Sequence, residues 1–195
     1  RFCARYPNVK LSITNAPTPV TVAELARGNL DFCVVSEPAD LSPDAVYVPV
    51  REISDICIVG RNYTPSSVAL AEMLARGGTI PLTELAGERL IALDRSTSSR
   101  RHIDAWLSDS GAPESLLSPD IELATSDLIV DFVRRGLGIA FVMEDFARQA
   151  IERGEVTVLR LDPPPPKRHF LLARLKKAPL TAAPRHFLGQ LGVDV

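Results

Sequence analysis

Residues 125–143 read Thr125-Ser-Asp-Leu-Ile-Val-Asp-Phe-Val-Arg-Arg-Gly-Leu-Gly-Ile-Ala-Phe-Val-Met143. In order, they carry the signals of a helix start, an amphipathic helix, a helix end and a buried strand. Thr125 can accept hydrogen bonds from free amides at a helix start, and apolar side chains then recur on one helical face. Gly136 suits the left-handed position that ends a helix, and residues 139–142 are apolar throughout. A helix that leads directly into an apolar strand predicts a parallel sheet covered by helices.

The Gly136-x-Gly138 pair follows a helix. A dinucleotide-binding fingerprint would instead follow a strand and open a helix. The pair is therefore interpreted as structural, and no nucleotide site is predicted.

Composition limits the possible functions. The 195 residues are 46% hydrophobic and 24% charged, enough for one domain or two small lobes. Lys and Arg total 22 against 24 for Asp and Glu, so no strong field attracts nucleic acid or an anionic membrane. The apolar runs are too short to span a membrane, and the N-terminus has no signal-peptide pattern. These features predict a globular, cytoplasmic protein.

The reactive residue types are scattered along the chain. Cys3, Cys33 and Cys57 are far apart and indicate reduced core residues, and the three histidines form no metal-ligand spacing with them. No Gly-x-Ser-x-Gly nucleophile elbow follows a strand. Carboxylate pairs such as Glu122 with Asp127 have no spacing that supports acid-base work. We therefore predict no metal, no cofactor and no catalytic residue.

The first part of the chain predicts a β-α-β unit. Residues 9–14 alternate apolar and polar side chains and predict a strand. A helix then starts between Thr18 and Thr21, where a capping box with Glu24 is possible, and ends at Gly28. Residues 30–35 predict the next strand, which requires a parallel, right-handed connection.

The rest of the chain is assigned to strands and helices from the same patterns of apolar spacing and helix capping. The remaining predicted strands are residues 45–50, 55–59, 89–93, 120–124, 156–161 and 169–174. The remaining predicted helices start at Ser66, after Ser99, at Thr125, at Glu144 and at Thr181. The polar, proline-containing residues 60–65 and the proline run 163–166 are interpreted as two crossings between lobes, although an ordinary surface loop would also explain the prolines.

Three strand-to-helix junctions are rich in hydroxyl groups: residues 18–21, 96–99 and 125–126. Each combines free helix amides, a partial positive charge and hydroxyl donors, which together can hold a carboxylate or phosphate. Arg95, Arg100, Arg101 and His102 surround the middle junction. The alternative for each junction is plain helix capping, worth about 1 kcal/mol, and each arginine alone is better explained as a solvated surface charge.

Several spaced motifs resemble the effector-binding domain of LysR-type transcriptional regulators. They are Phe2-x-x-x-Tyr6-Pro7-x-Val9-x-Leu11, Leu25-x-x-Gly28-x-Leu30-Asp31, Pro81-Leu-Thr-Glu-Leu85-Ala-Gly87, Ile121-Glu122 and Val133-x-x-Gly136-Leu-Gly-Ile-Ala140. Their order and spacing cover nearly the whole chain.

This resemblance implies an α/β fold like that of the type 2 periplasmic binding proteins, with two Rossmann-like lobes joined by two crossovers. The first lobe would contain residues 1–62 and 165–195, and the second residues 63–164. A small effector would bind in the cleft between the lobes. Members commonly contact it through positions that match Thr18, Ser96 and Thr97, while Thr125 matches a third position and Ser36 a weaker one.

The chain also departs from the family pattern. The first strand and most of the first helix of the regulatory domain, and the winged helix-turn-helix DNA-binding domain, have no counterpart in it. Met143 stands where a proline is common. The resemblance implies a homo-oligomer, a dimer or tetramer, that reaches promoter DNA only through the missing domain. The leading hypothesis is an effector sensor for a small, anionic metabolite. A free-standing solute-binding protein of the same fold is the alternative, and an enzyme on this fold is a third class.

Overall fold

The computed structural model describes residues 2–192. Its α-helices are, in chain order, α1 (Phe2–Arg5), α2 (Thr18–Ala26), α3 (Val68–Arg76), α4 (Ser98–Asp109), α5 (Ser126–Arg134), α6 (Glu144–Glu152) and α7 (Ala182–Gln190). Its strands are β1 (Cys33–Ser36), β2 (Ala45–Ile53), β3 (Asp55–Gly60), β4 (Thr79–Pro81), β5 (Leu90–Leu93), β6 (Ile121–Leu123), β7 (Ile139–Met143), β8 (Val156–Asp162) and β9 (Arg168–Leu175). Short 3-10 helices span Leu82–Leu85 and Glu114–Leu117.

The described chain divides into two compact units. The first contains residues 2–52 and 169–192, and the second contains residues 53–168. The first unit is thus formed from both ends of the described segment, while the second is one continuous stretch.

The second unit is built on a six-stranded mixed sheet with the order β4-β8-β3-β7-β5-β6. Strands β5, β6 and β7 run parallel to one another, and β4 runs parallel to β8. Strand β3 is antiparallel to both of its neighbours, β7 and β8. The parallel sheet predicted from residues 125–143 is therefore correct for β5, β6 and β7 and wrong for β3.

Helices cover both faces of this sheet because successive strand residues point to opposite sides. One core contains Cys57, Leu70 of α3 and Leu107 of α4. The other contains Ile58, next to Cys57 in β3, and Ile129 of α5.

Cys33 and Cys57 are buried free thiols, and burial raises the pKa of the Cys57 thiol above its usual range. Cys3 is exposed, so its predicted place in the core is wrong.

Residues 125–143 fold as predicted. Thr125 caps α5, Gly136 adopts the left-handed conformation at φ 76°, and β7 follows. Gly138 has a further role, because a Cβ atom there would lie 2.4 Å from the carbonyl oxygen of Arg89. The bare glycine lets the main chain approach β5 closely enough for Ile139 N to donate to Arg89 O at 2.9 Å. The Gly136-x-Gly138 pair is thus explained by packing.

The first unit is built on a three-stranded sheet with the order β1-β9-β2. Strand β9 runs antiparallel to β1 and buries side chains on both faces. Leu171 packs with Leu25 of α2 in one cluster, and Leu172 packs with Leu188 of α7 in another. Helix α1 adds Phe2, whose ring lies edge-on to Phe187 at 5.1 Å.

The strand predicted over residues 9–14 is wrong. Residues 9–17 have no regular secondary structure, and Leu11 and Ile13 are 42% and 80% exposed. Alternating side chains stabilise a strand only when one face is buried and the backbone has a partner. Within residues 2–192, neither condition is met, so the predicted β-α-β unit reduces to α2 followed by β1.

The unit boundaries also differ from the predicted limits of residues 1–62, 63–164 and 165–195. Strand β3, which was predicted in the first lobe, is an interior strand of the second unit's sheet. Residues 60–65 are then a turn within that unit, fixed where Glu88 accepts hydrogen bonds from Tyr63 and from the amide of Ser66 at 2.9 Å. The polar composition of this segment therefore reflects a turn rather than a crossing.

Candidate functional site

Two of the three hydroxyl-rich junctions lie at the same edge of the second unit's sheet. Strands β5 and β6 are adjacent and parallel, with Leu93 opposite Leu123, so the loops that follow them leave from one edge. A hydrogen bond of 3.1 Å from Asp94 N to Leu123 O connects the two loops at their start. The N-termini of α4 and α5 come directly after these loops. The structure therefore brings together Ser96, Thr97 and Thr125.

The loop before α4 is ordered by its own hydrogen bonds. Thr97 Oγ1 accepts from Arg100 N at 3.2 Å and donates to Asp94 O at 2.9 Å. Ser96 N donates to Asp94 Oδ1 at 2.8 Å. Hydrogen bonds from the side chain and main chain of Ser96 lower the pKa of Asp94, so this carboxylate is charged at neutral pH. Thr97 thus acts first as a helix cap, whereas the exposed Ser96 faces solvent.

The start of α5 leaves its hydroxyl more available. Thr125 is exposed, and its Oγ1 accepts from Leu128 N at 3.4 Å. Among residues 2–192 its hydroxyl proton has no acceptor. The Thr125 hydroxyl can therefore donate to a ligand while it still caps the helix.

Arg100 is the main departure from the predicted surface charges. It is 4% exposed, and its Nη1 donates to Leu93 O at 3.0 Å and to Glu122 Oε1 at 3.1 Å. Its Nε donates to Asp104 at 2.7 Å. The guanidinium therefore joins the end of β5, strand β6 and helix α4 beneath the shared edge. Arg95, in contrast, is exposed as predicted.

The remaining Arg100 nitrogen, Nη2, is buried and has no hydrogen-bond partner within the described residues. Arg100 also lines a small cavity of about 20 Å³ together with Asp55, Ser99 and Asp104. That volume is enough for about one water molecule. The charged Arg100 guanidinium is therefore buried next to this edge of the sheet, and its Nη2 is a hydrogen-bond donor without a partner among the described residues.

A buried ion pair supports the first turn of α4 from below. Arg168 Nε and Nη2 donate to the two carboxylate oxygens of Asp55 at 2.6 and 2.9 Å, and Nη2 also donates to Ser99 Oγ at 2.9 Å. His102 Nε2 lies 3.0 Å from Pro166 O. Arg168 thereby fixes Ser99, two residues after Thr97.

The other two candidates lie in the first unit. Thr18 is the first residue of α2 and is 8% exposed. The predicted capping box of Thr21 and Glu24 is absent because the helix starts before Thr21, whose Oγ1 donates to Ala16 O at 3.2 Å. Ser36 ends β1 and is 7% exposed. Both remain predicted effector contacts.

The sequence did not predict the structural roles of Arg100 or of the ion pair between Asp55 and Arg168. Arg100 precedes Ile103 by three residues and Leu107 by seven, so its place on the apolar face of α4 could have been found from helical spacing. The partners Asp55 and Arg168 are 113 residues apart and carry no local signal. No group of three or more potential metal ligands occurs among residues 2–192.

The sequence of this chain matches the model of a known domain family. A family model described as the LysR substrate binding domain matches residues 1–193. The chain belongs to this family. The resemblance predicted from the spaced motifs is thereby confirmed.

Relatives found by sequence are named as transcriptional regulators. The chain is 28% identical over 159 residues to a probable RuBisCO transcriptional regulator of Porphyra purpurea, covering 80% of this chain and 47% of that protein. It therefore spans about half the length of the curated relatives that it matches.

Solved structures of LysR-type domains share the fold. The regulatory domain of CcmR from Synechocystis PCC6803, in complex with 2-PG, aligns with a TM-score of 0.81 at 22% identity, over 97% of this chain and 85% of that chain. The effector binding domain of QuiR in complex with shikimate aligns with a TM-score of 0.73 at 19% identity, over 96% and 85% of the two chains. These likenesses confirm the predicted α/β fold of the type 2 periplasmic-binding-protein kind. No helix within residues 2–192 is both long and apolar enough to cross a membrane.

Proposed function

We propose that this chain is the effector-sensing part of a LysR-type transcriptional regulator and that a small anion binds at the carboxyl edge of β5 and β6. The observation that carries the proposal is the meeting of two capped helix N-termini, those of α4 and α5, at one sheet edge above the buried Arg100. Free helix amides and the partial positive charge of each N-terminus favour an anionic group there.

The predicted contacts contribute unequally to this proposal. Thr125 has a free hydroxyl proton, Ser96 is exposed, and Thr97 acts by holding the loop. Thr18 and Ser36 of the first unit remain proposed contacts. Asp94 follows β5, Glu122 lies in β6 and Asp127 lies in the first turn of α5, so the ligand must compete with nearby carboxylates.

The relatives support the choice of ligand class. CcmR and QuiR are each solved with a small molecule, 2-PG in one and shikimate in the other. The relatives found by sequence are named transcriptional regulators, which favours a regulator over a free-standing solute-binding protein or an enzyme. In the whole protein, ligand binding would bias how paired DNA-binding domains are presented, by the difference in affinity between two arrangements.

Two further parts of the proposal concern the whole protein. We expect it to work in the cytoplasm, where promoter DNA is found, and to assemble as a homodimer or tetramer. Sedimentation of the purified chain tests self-association directly: a species of twice or four times the chain mass supports it, and a monomer at all concentrations contradicts it for this segment.

A thermal-shift screen against small carboxylates, phosphate esters and neutral metabolites tests ligand binding. A ligand at about a hundred times its Kd adds about 2.7 kcal/mol to the free energy of unfolding. We expect the shift for an anion to be lost in Thr125→Ala and kept in Thr125→Ser. Ser67→Ala is the matched control, because Ser67 Oγ caps α3 by accepting from Leu70 N at 3.0 Å. Equal losses in Thr125→Ala and Ser67→Ala would contradict a ligand at this edge.

A further inference from the structure

One carboxylate at the shared edge forms ion pairs with two arginines of very different exposure. Glu122 Oε1 accepts from Arg100 Nη1 at 3.1 Å and lies 3.6 Å from Arg95 Nε. The Arg100 side chain is 3% exposed, whereas those of Glu122 and Arg95 are 42% and 69% exposed. Glu122 therefore lies between a buried cation, Arg100, and an exposed cation, Arg95.

Arg100 cannot leave this position easily. Its Nε and Nη1 bind Asp104 and the end of β5 as well as Glu122, and its Nη2 remains buried without a partner among residues 2–192. The guanidinium stays protonated, and its hydrogen bonds to two carboxylates hold it in place. Arg100 thus supplies a permanent charge beneath the edge.

Arg95 can move at little cost. An ion pair between exposed side chains 3.6 Å apart adds little to stability and is screened by salt. Arg95 directly precedes Ser96 and Thr97 in the loop before α4. A ligand at this edge would therefore meet a cation that is already close and only weakly held.

We propose that the Glu122 carboxylate forms an ion pair with Arg95 when no ligand is bound, and that the effector is a small dianion. On binding, the dianion replaces Glu122 as the ion-pair partner of Arg95. This inference rests on the proposed function and deepens it. A monoanion offers Arg95 no more charge than Glu122 does, whereas a dianion offers twice as much. Separating Arg95 from Glu122 therefore imposes a fixed cost on ligand binding, which the stronger attraction between Arg95 and a dianion can exceed.

The test uses the purified chain, with inorganic phosphate at about pH 8 as the dianion and acetate as the monoanion, each followed by amide chemical shifts of Ser98 and Ser126. Glu122→Gln keeps an oxygen that can accept from Arg100 and removes the charge. We expect phosphate to bind roughly threefold to tenfold more tightly to this variant. Because the cost of separating Arg95 from Glu122 is the same for either ligand, the gain for acetate should be about equal to that for phosphate, whereas a clearly larger gain for phosphate would indicate direct repulsion by Glu122 and contradict the competition.

The matched control is Glu72→Gln. Glu72 pairs with Arg76 at 3.1 Å on the surface of α3, so the substitution changes the net charge equally at another place. Phosphate affinity should stay unchanged in this control. Equal affinities in Glu122→Gln and wild type, or equal gains in both variants, would overturn the inference.

Arg95→Gln is the second single substitution of a double-mutant cycle with Glu122→Gln. It should weaken phosphate binding, and adding Glu122→Gln to it should give a smaller gain than in wild type, because the competition for Arg95 no longer exists. Equal gains in both backgrounds would contradict this competition. If phosphate binds and Thr125→Ala abolishes binding while Glu122→Gln has no effect, the proposed function stands and the inference fails. If no variant binds phosphate or any anion of the screen, both fail.

Discussion

At the scale of single residues, Thr97 and Thr125 show that equal sequence signals can have unequal roles. Both cap a helix, but Thr97 gives its proton to Asp94 O, whereas Thr125 keeps its own. The sequence predicted both as cap and ligand contact. Which hydroxyl is free depends on the path of the preceding loop, and this path is a property of the folded strands.

The buried pair of Asp55 and Arg168 gives a prediction at this scale. The two side chains are 1% and 2% exposed and joined by two hydrogen bonds. Asp55→Asn removes the negative charge and leaves a buried cation, so it should lower the free energy of unfolding by about 3–5 kcal/mol. Urea unfolding followed by the fluorescence of Trp106 measures this change.

Glu72→Gln is the control, since it neutralises one partner of an exposed pair and should change the free energy of unfolding by less than about 0.5 kcal/mol. A loss of under about 1 kcal/mol in Asp55→Asn would show that Arg168 finds other partners and would contradict a structural role for the pair.

At the scale of elements, the sequence predicts most reliably a helix that has both a capping residue at its N-terminus and a glycine after its C-terminus. Helix α5 has Thr125 before it and Gly136 after it, and its predicted limits agree with the structure. The predicted strand over residues 9–14 had only an alternating pattern. Alternation shows that a strand could form, but a partner strand is needed to satisfy its backbone, and that partner cannot be read from local sequence. The antiparallel direction of β3 had no local signal either.

Gly138 gives a prediction for the contact between β7 and β5. In Gly138→Ala the new Cβ would lie 2.4 Å from Arg89 O, a main-chain atom that cannot turn aside. We expect a loss of about 1–3 kcal/mol in the free energy of unfolding. Thermal and urea unfolding of the variant provide the measurement.

Gly78→Ala is the matched control, because no atom lies within 4 Å of the corresponding Cβ position at Gly78. This variant should unfold within about 0.5 kcal/mol of wild type. Comparable losses in both variants would mean that backbone freedom, rather than close approach, explains Gly138.

At the scale of the whole molecule, the family and fold were predictable because spaced motifs cover nearly the whole chain. The limits of the two units were less predictable. Residues 60–65 and 163–166 have the composition of connectors, yet both segments lie within the second unit. Polar and proline-rich composition marks exposed chain and does not distinguish a turn from a crossing.

The proposed anion site lies where the N-termini of α4 and α5 meet. Crystals of the chain grown with selenate, a dianion whose selenium scatters anomalously, test it most directly. We expect an anomalous selenium peak at a position that puts selenate oxygens within hydrogen-bonding distance of Thr125 Oγ1 and the amide of Ser126. Peaks at other places on the molecule, with none at this edge, would contradict it.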